Sequence, residues 1–242
     1  MTVGNLEIDV VVVPERGGVR LTVERDARIT ATVPAGLDNT LLVDAVKGRR
    51  RWIYDKLEAR REDAALRPVK QFVTGEGFLY LGRNYRLKLV DDAPQPVGLV
   101  QGRLILRRDS LTRAQDELIS WYRTRGHAWL PRRVEPWAER MNAPLQGVAV
   151  RRLGYRWGSC NRDGGVNIHW ATMQLPANLV DYVLVHELAH LHKRDHSVEF
   201  WSLVSRAMPD YKTRRARLDK LGALLWLPEA SGTSKSPGQR DT

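Results

Sequence analysis

The sequence predicts an α+β protein, in which an N-terminal, mostly antiparallel β region precedes a half built from one β-hairpin and several helices. Three observations predict it. Apolar and polar residues alternate through much of the first 110 positions, apolar residues recur at helical spacing through most of the remainder, and a short alternating stretch flanks a polar turn between residues 148 and 170. A chain of 242 residues accommodates one large domain or two small ones. The expected divisions are 1–110, 111–228 and a tail of 229–242.

Leu6 to Val13 sets Leu6, Ile8, Val10 and Val12 on one face, and strands at Val19–Val23 and Arg28–Val33 follow, separated by Gly17-Gly18 and closed by Pro34. These read as a small antiparallel sheet. Asp38-Asn39 offers an N-cap, after which Leu41, Leu42, Ala45, Val46, Trp52, Ile53 and Leu57 fall on one face of a helix. Its back is basic, with Lys47, Arg49, Arg50, Arg60 and Arg61. Strands at Gly77–Leu81, Tyr85–Val90 and Leu99–Leu106 are broken by Gly82-Arg83-Asn84 and by Ala93-Pro94-Gln95-Pro96.

From Leu111 to about Arg140, the residues Leu118, Ile119, Tyr122, Trp129, Leu130, Val134 and Trp137 recur at helical spacing, and Pro131 is expected to kink or divide that helix. A strand at Val148–Leu153 leads to a hairpin whose turn is Asn161-Arg162-Asp163-Gly164-Gly165 and whose return strand is Val166–Trp170. Helices over Asn178–Lys193, Ser197–Met208 and Lys212–Leu224 complete the fold, with Pro209 ending the second. The tail EASGTSKSPGQRDT has no apolar periodicity and is expected to be disordered.

Hydrophobic residues at 43% and charged residues at 28% exclude a wholly disordered chain, and no apolar run reaches the roughly 18–20 residues that span a bilayer. No membrane association is expected. Val10 to Val13 is short and lacks a basic stretch before it, so it reads as a strand and not as a signal peptide; the expected location is the cytoplasm. The single cysteine, Cys160, excludes an internal disulfide and a multi-cysteine zinc cluster, which leaves any metal site to His and carboxylates. A formal charge of +11 suits polyanionic partners such as nucleic acid or nucleotides. The 39 basic residues are nevertheless spread over the whole length among acidic ones, so charge alone does not choose a partner.

The chemistry concentrates in Val183-Leu184-Val185-His186-Glu187-Leu188-Ala189-His190. His186 and His190 stand four apart on a helix, so both imidazoles leave one face and can bind the same ion, with Glu187 beside them. His196 precedes Ser197, an N-cap for the next helix, so the chain turns there and can return a third imidazole. Three protein ligands plus a water suit a catalytic Zn2+, although Co, Ni or Mn can occupy such a set. Glu187 is then the general base. His192 lies off the shared face and reads as a surface or supporting residue; Asp195 is either a partner for a ligand histidine or a turn aspartate; Glu199 suits the first turn of the following helix better than a fourth ligand position.

Arg156-Trp157-Gly158-Ser159-Cys160, Val166-Asn167-Ile168-His169-Trp170, Leu175-Pro176, Asp181 to Leu191, His196-Ser197 and Phe200-Trp201 together closely resemble the YgjP-like metallopeptidase family, relatives of the SprT-like and WLM zinc proteases. The resemblance covers about residues 6–226, from the N-terminal strands through Trp52-Ile53 and Leu81-Gly82 to Pro209-Asp210-Tyr211-Lys212. The H-E-x-x-H element is shared by many unrelated zincins; the Arg-Trp-Gly-Ser-Cys stretch followed about 25 residues later by Tyr-Val-Leu-Val-His-Glu-Leu-Ala-His-Leu is far more specific. The resemblance implies a zincin-like core over 111–228, with His186, His190 and His196 as zinc ligands and Glu187 as base. The three histidines also have metzincin spacing, but Lys193 stands where those enzymes place a glycine and no Met-turn is visible, so that clan is not assigned.

In zincins generally the hairpin before the active-site helix presents an edge strand that can pair with an extended peptide, so Trp157–Cys160 is a candidate cleft lining. Trp157 and Trp170 also fit core positions, and Cys160 reads as a small buried thiol in preference to a nucleophile activated by His169. Arg156, Tyr211 and Arg214 are candidates to bind substrate or stabilise a tetrahedral intermediate, each with an alternative as a packing or solvated residue. The expected function is a zinc-dependent cytoplasmic peptidase acting on a peptide or protein. Two alternatives share the site. One is a metal-dependent nucleoside triphosphate pyrophosphatase; the other is a DNA-associated, SprT-like protease whose nucleic-acid footprint would be the basic face of residues 47–61, although no zinc-finger cysteines or DNA-binding module accompany it.

Overall fold

The computed structural model describes residues 1–13, 17–23, 27–154 and 156–228, and the side chains of these except at 63 and 64. The expected tail, 229–242, lies outside the described residues. Strands β1 (Thr2–Val3), β2 (Leu6–Val12), β3 (Arg20–Val23) and β4 (Ile29–Val33) form one sheet in the order β1-β2-β4-β3. Leu6, Ile8, Leu21, Val23, Ile29, Ala31 and Val33 enter one core at a period of two, whereas Val10 and Val12, expected on the same face, are exposed at 41% and 58% because β2 runs past that core. The sheet is mixed and not wholly antiparallel: β2 runs parallel to β4, with Ile8 opposite Ile29, while β3 pairs antiparallel with the other edge of β4. Period two identifies a strand's buried face but not its neighbour's direction, so this crossover left no mark in the pattern.

The helix expected after Asp38 is two helices, α1 (Asn39–Gly48) and α2 (Arg50–Ala65), because Arg49 departs from helical geometry at φ −109° and ψ 12°. Asp38 does cap the first, its carboxylate accepting from the Thr40 amide at 2.9 Å. Leu42, Val46, Ile53 and Leu57 pack onto the sheet's apolar face.

A second sheet repeats the topology of the first. Strands β5 (Gly77–Tyr80), β6 (Arg83–Val90), β7 (Val97–Val100) and β8 (Arg103–Arg107) lie in the order β5-β6-β8-β7, again with a parallel central pair between antiparallel ones. The single strand expected over Leu99–Leu106 is therefore a hairpin. Gln101 at φ 47° and Gly102 at φ 75° make its two-residue turn, and glutamine is not a residue that announces a left-handed position.

Helix α3 (Ala114–Met141) has 28 residues, about 42 Å at 1.5 Å per residue, and passes through Pro131 and Pro136 as one element. Both prolines lie on its exposed side, where the carbonyls left without an N–H partner are open to solvent. The third sheet joins β9 (Gly147–Arg151), β10 (Gly158–Cys160) and β11 (Gly165–His169) in the order β10-β11-β9, so the expected hairpin forms and leaves β10 at an edge. Helices α4 (Ala177–His192), α5 (Val198–Ala207) and α6 (Tyr211–Ala223) follow within a few residues of their expected bounds.

Buried apolar residues fall into two clusters, one running from Leu6 to Leu57 and the other from Phe78 to Trp226. The gap between them lies between those two residues and does not coincide with residue 110, because the second sheet shares its core with α3 to α6. Leu179, Val180, Val183, Leu184, Leu188 and Ala189 are buried around most of the circumference of α4, which makes it the central helix of the larger cluster. Among the described residues no helix is long and apolar enough to cross a membrane.

Candidate metal centre

Three imidazoles converge at the end of α4. His186 and His190 project from adjacent turns, and the chain leaves the helix at Lys193, whose backbone is extended. Asp195 accepts from the Ser197 amide at 3.4 Å, and the Ser197 hydroxyl accepts from the Phe200 amide at 3.4 Å, so two local caps turn the chain into α5. That turn brings His196 back, its Nε2 3.1 Å from Nε2 of His186. The available nitrogens of the three residues lie within 4.8 Å of one another. Phe200, fully buried, forms the floor, with its ring centroid 5.0, 4.5 and 4.8 Å from those of His186, His190 and His196.

The electrostatics keep these rings neutral. Burial, reinforced by the neighbouring imidazoles and by Arg215, pulls His186 down to about 3; burial also lowers His190, and burial and Arg215 lower His196. Nδ1 of His190 lies 3.0 Å from the Lys193 carbonyl, which can only accept, so the ring proton sits on Nδ1 and Nε2 keeps its lone pair. Nδ1 of His186 is buried without a hydrogen-bond partner among the described residues. Two imidazole nitrogens bound at 2.0–2.1 Å in a tetrahedron stand about 3.3 Å apart. The 3.1 Å separation and the neutral donor set therefore fit a small divalent cation.

Glu187 lies between the histidines and β10. It is 6% exposed, and its carboxyl packs directly on Gly158, where an added Cβ would fall 2.6 Å from its Cγ and 2.7 Å from its Oε1. Burial pushes its pKa up to about 8 against the opposing pull of Arg156. The residues open into a cleft of about 900 Å³ that β10 borders along one side.

The family profile for a YgjP-like metallopeptidase domain matches residues 18–221. The chain belongs to the YgjP-like metallopeptidase family. It is thus a metal-dependent peptidase. No curated protein sequence matches it significantly. Among solved structures, the metallopeptidase zymogen of Pyrococcus abyssi abylysin is similar over 40% of this chain and 98% of its own, at 22% identity and a TM-score of 0.36.

Within this YgjP-like domain the remaining candidates separate. Arg156 lines the cleft. Tyr211 instead stacks on Trp201, with centroids 5.4 Å apart, and borders a shallower neighbouring depression. Arg214 is drawn away from the cleft, donating from Nε to Asp210 at 2.8 Å and through its guanidinium to the Asn178 carbonyl at 2.9 Å, which ties α6 to the start of α4. Its neighbour Arg215 lines the cleft. A helical projection carries that signal, since Arg215 shares a face with the buried Leu218 and Gly222. Arg20, from the distant β3, also reaches the cleft, and no sequence spacing announces it.

His192 sits against the Met141 carbonyl at 3.1 Å, at the end of α3 and apart from the three clustered imidazoles. Asp195 serves the turn, and exposed Glu199 occupies the first turn of α5. Trp170 is buried in the core, whereas Trp157 is half-buried and borders the cleft. Burial and the charge of Glu187 push the Cys160 thiol up, which keeps it protonated and a poor nucleophile.

Proposed function

We propose that the chain is a zinc-dependent cytoplasmic peptidase in which His186, His190 and His196 hold the ion and Glu187 is the general base. The observation that carries this reading is the convergence of three neutral imidazoles beside a buried carboxyl at the base of one cleft. Zinc would supply Lewis-acid chemistry, lowering the pKa of a water and polarising a substrate carbonyl. Glu187 accepts a proton from the attacking water and returns it to the leaving amine, a task for a carboxyl poised near neutral pH. The Lys193 carbonyl holds His190 in the tautomer that binds metal through Nε2. Of the residues expected to bind substrate, we retain Arg156 and add Arg215, both of which border the cleft. The lone free Cys160 suits a reducing compartment.

The test pairs metal analysis of the purified protein with hydrolysis of an unstructured protein, comparing wild type with Glu187→Gln. About one zinc per chain, retained in the variant, and proteolysis lost in the variant are expected. Protein that refuses metal after reconstitution, or proteolysis indifferent to Glu187, overturns the reading.

A further inference from the structure

The cleft above the three histidines is ringed by cations from four separate parts of the chain: Arg20 on β3, Arg156 before β10, Lys193 and Arg194 in the turn after α4, and Arg215 on α6. Arg20, Lys193, Arg194 and Arg215 form no ion pair among the described residues. Two of the three acidic residues on the cleft wall are already engaged: Glu187 is buried against Gly158, and Asp195 accepts from the Ser197 amide. Arg215 is further held in place over the Trp201 ring, 5.2 Å from its centroid. Cations gathered along a concave wall concentrate a positive field, which attracts an anionic occupant.

We infer that the cleft selects acidic peptide segments, and that Arg20 makes the N-terminal sheet a specificity-determining arm of the peptidase. The inference rests on the peptidase reading and deepens it. Two features favour a peptide over a compact phosphate. The charges surround the cleft from four elements and do not converge on one point, which matches carboxylates spaced along a chain. The edge strand β10 also borders the cleft with backbone groups that an extended segment can pair with. Arg20 belongs to a sheet whose core is separate from that of the metal-bearing half, so its contribution to the cleft needs no part in the chemistry there.

The experiment uses the full chain and three peptides of equal length that share one central apolar segment and carry Asp/Glu, Ser/Gln or Lys flanks. The acidic peptide is expected to show a kcat/KM about tenfold above the Ser/Gln peptide, since each partly screened pair contributes a factor of roughly two to five. The preference should shrink as salt rises from 50 to 500 mM, because the Debye length shortens about threefold over that range. Arg20→Gln should lower the acidic-to-neutral ratio by about two- to fivefold, and Arg20→Glu should lower it further, with zinc content equal to wild type. Binding of the fluorescent acidic peptide to zinc-loaded Glu187→Gln, read by anisotropy, should weaken by the same factor when Arg20→Gln is added.

Equal cleavage of the three peptides, or an acidic-to-neutral ratio that Arg20→Glu leaves unchanged, overturns this inference and leaves the peptidase reading standing. Zinc loading without cleavage of any peptide overturns the peptidase reading itself. Hydrolysis of a nucleoside triphosphate in preference to all three peptides assigns the cations to phosphate and overturns the inference as well.

Discussion

The carboxyl of Glu187 occupies the space that a side chain on Gly158 would fill: a Cβ there would lie 2.6 Å from Cγ and 2.7 Å from Oε1 of the glutamate. Gly158 is thus the wall that sets where this carboxyl stands. Gly158→Ala is expected to push Glu187 off its position and to lower kcat by about 10- to 100-fold, because small displacements of a positioned group are costly. Metal content should be unchanged, since the three atoms nearest this glycine's added atom all belong to Glu187. Wild-type turnover in Gly158→Ala would show that Glu187 needs no such wall.

The pKa of Glu187 has a consequence for stability in protein stripped of metal by a chelator. Its folded value, near 8, lies above the unfolded value of about 4.5, so between these the folded state binds the extra proton. The contribution of this group is fully present below about 4.5 and is lost as pH rises through 8. The histidines act oppositely. Their folded values are lowered, so their contribution is present above about 6.5 and falls away on acidification, for His186 down to about 3. Subtracting the denaturation free energies of wild type from those of Glu187→Gln isolates the carboxyl. The difference should climb with pH between about 4.5 and 8 by up to about 1.4 kcal/mol per pH unit. A difference that stays flat across this range contradicts the assigned burial.

What could be read in advance follows the range of the interactions. His186, His190 and the capping pair Asp38 and Ser197 are local: their meaning is set by neighbours within one helical turn, and spacing exposes it. The parallel pairing of β2 with β4 and of β6 with β8 depends on partners about 20 residues away, and alternation is blind to it. Arg214 and Arg215 differ only in phase on α6, which turns one toward Asn178 and the other into the cleft. Arg20 and Gly158 gain their roles from contacts between elements far apart in sequence. The break at Arg49 and the left-handed Gln101 were hidden for another reason, because neither residue type advertises its backbone geometry.

Arg133 grips Asp181 through two hydrogen bonds of 2.6 Å, clamping α3 to the central helix one turn before His186. The partners are unequal: the Asp181 side chain is 5% exposed and that of Arg133 is 41%. Removing the arginine strands a buried carboxylate, whereas removing the aspartate releases a cation that can reach water. Arg133→Ala should therefore destabilise by about 3 kcal/mol and Asp181→Ala by roughly half as much, measured by chemical denaturation. Equal losses, or the reverse order, would mean that water reaches Asp181.

The indole of Trp201 has two stacked partners, parallel within 23° to His196 at 5.7 Å and within 19° to Tyr211 at 5.4 Å. His196 comes from a turn and not from α4, so it lacks the helical backbone that orients His186 and His190, and the stack supplies that orientation. Trp201 is accordingly a positioning residue. Trp201→Ala should weaken zinc affinity by about tenfold, the lower end of losses seen when supports of metal ligands are removed, and Trp201→Phe should recover most of it by keeping a flat ring against the imidazole. Competition with a calibrated chelator measures the affinity directly, and Glu187→Gln provides the comparison. That substitution changes a carboxyl with no place among the three clustered nitrogens and should leave zinc affinity within about twofold. If Trp201→Phe binds zinc no better than Trp201→Ala, the indole acts through the packing of α5 and not through its face on His196.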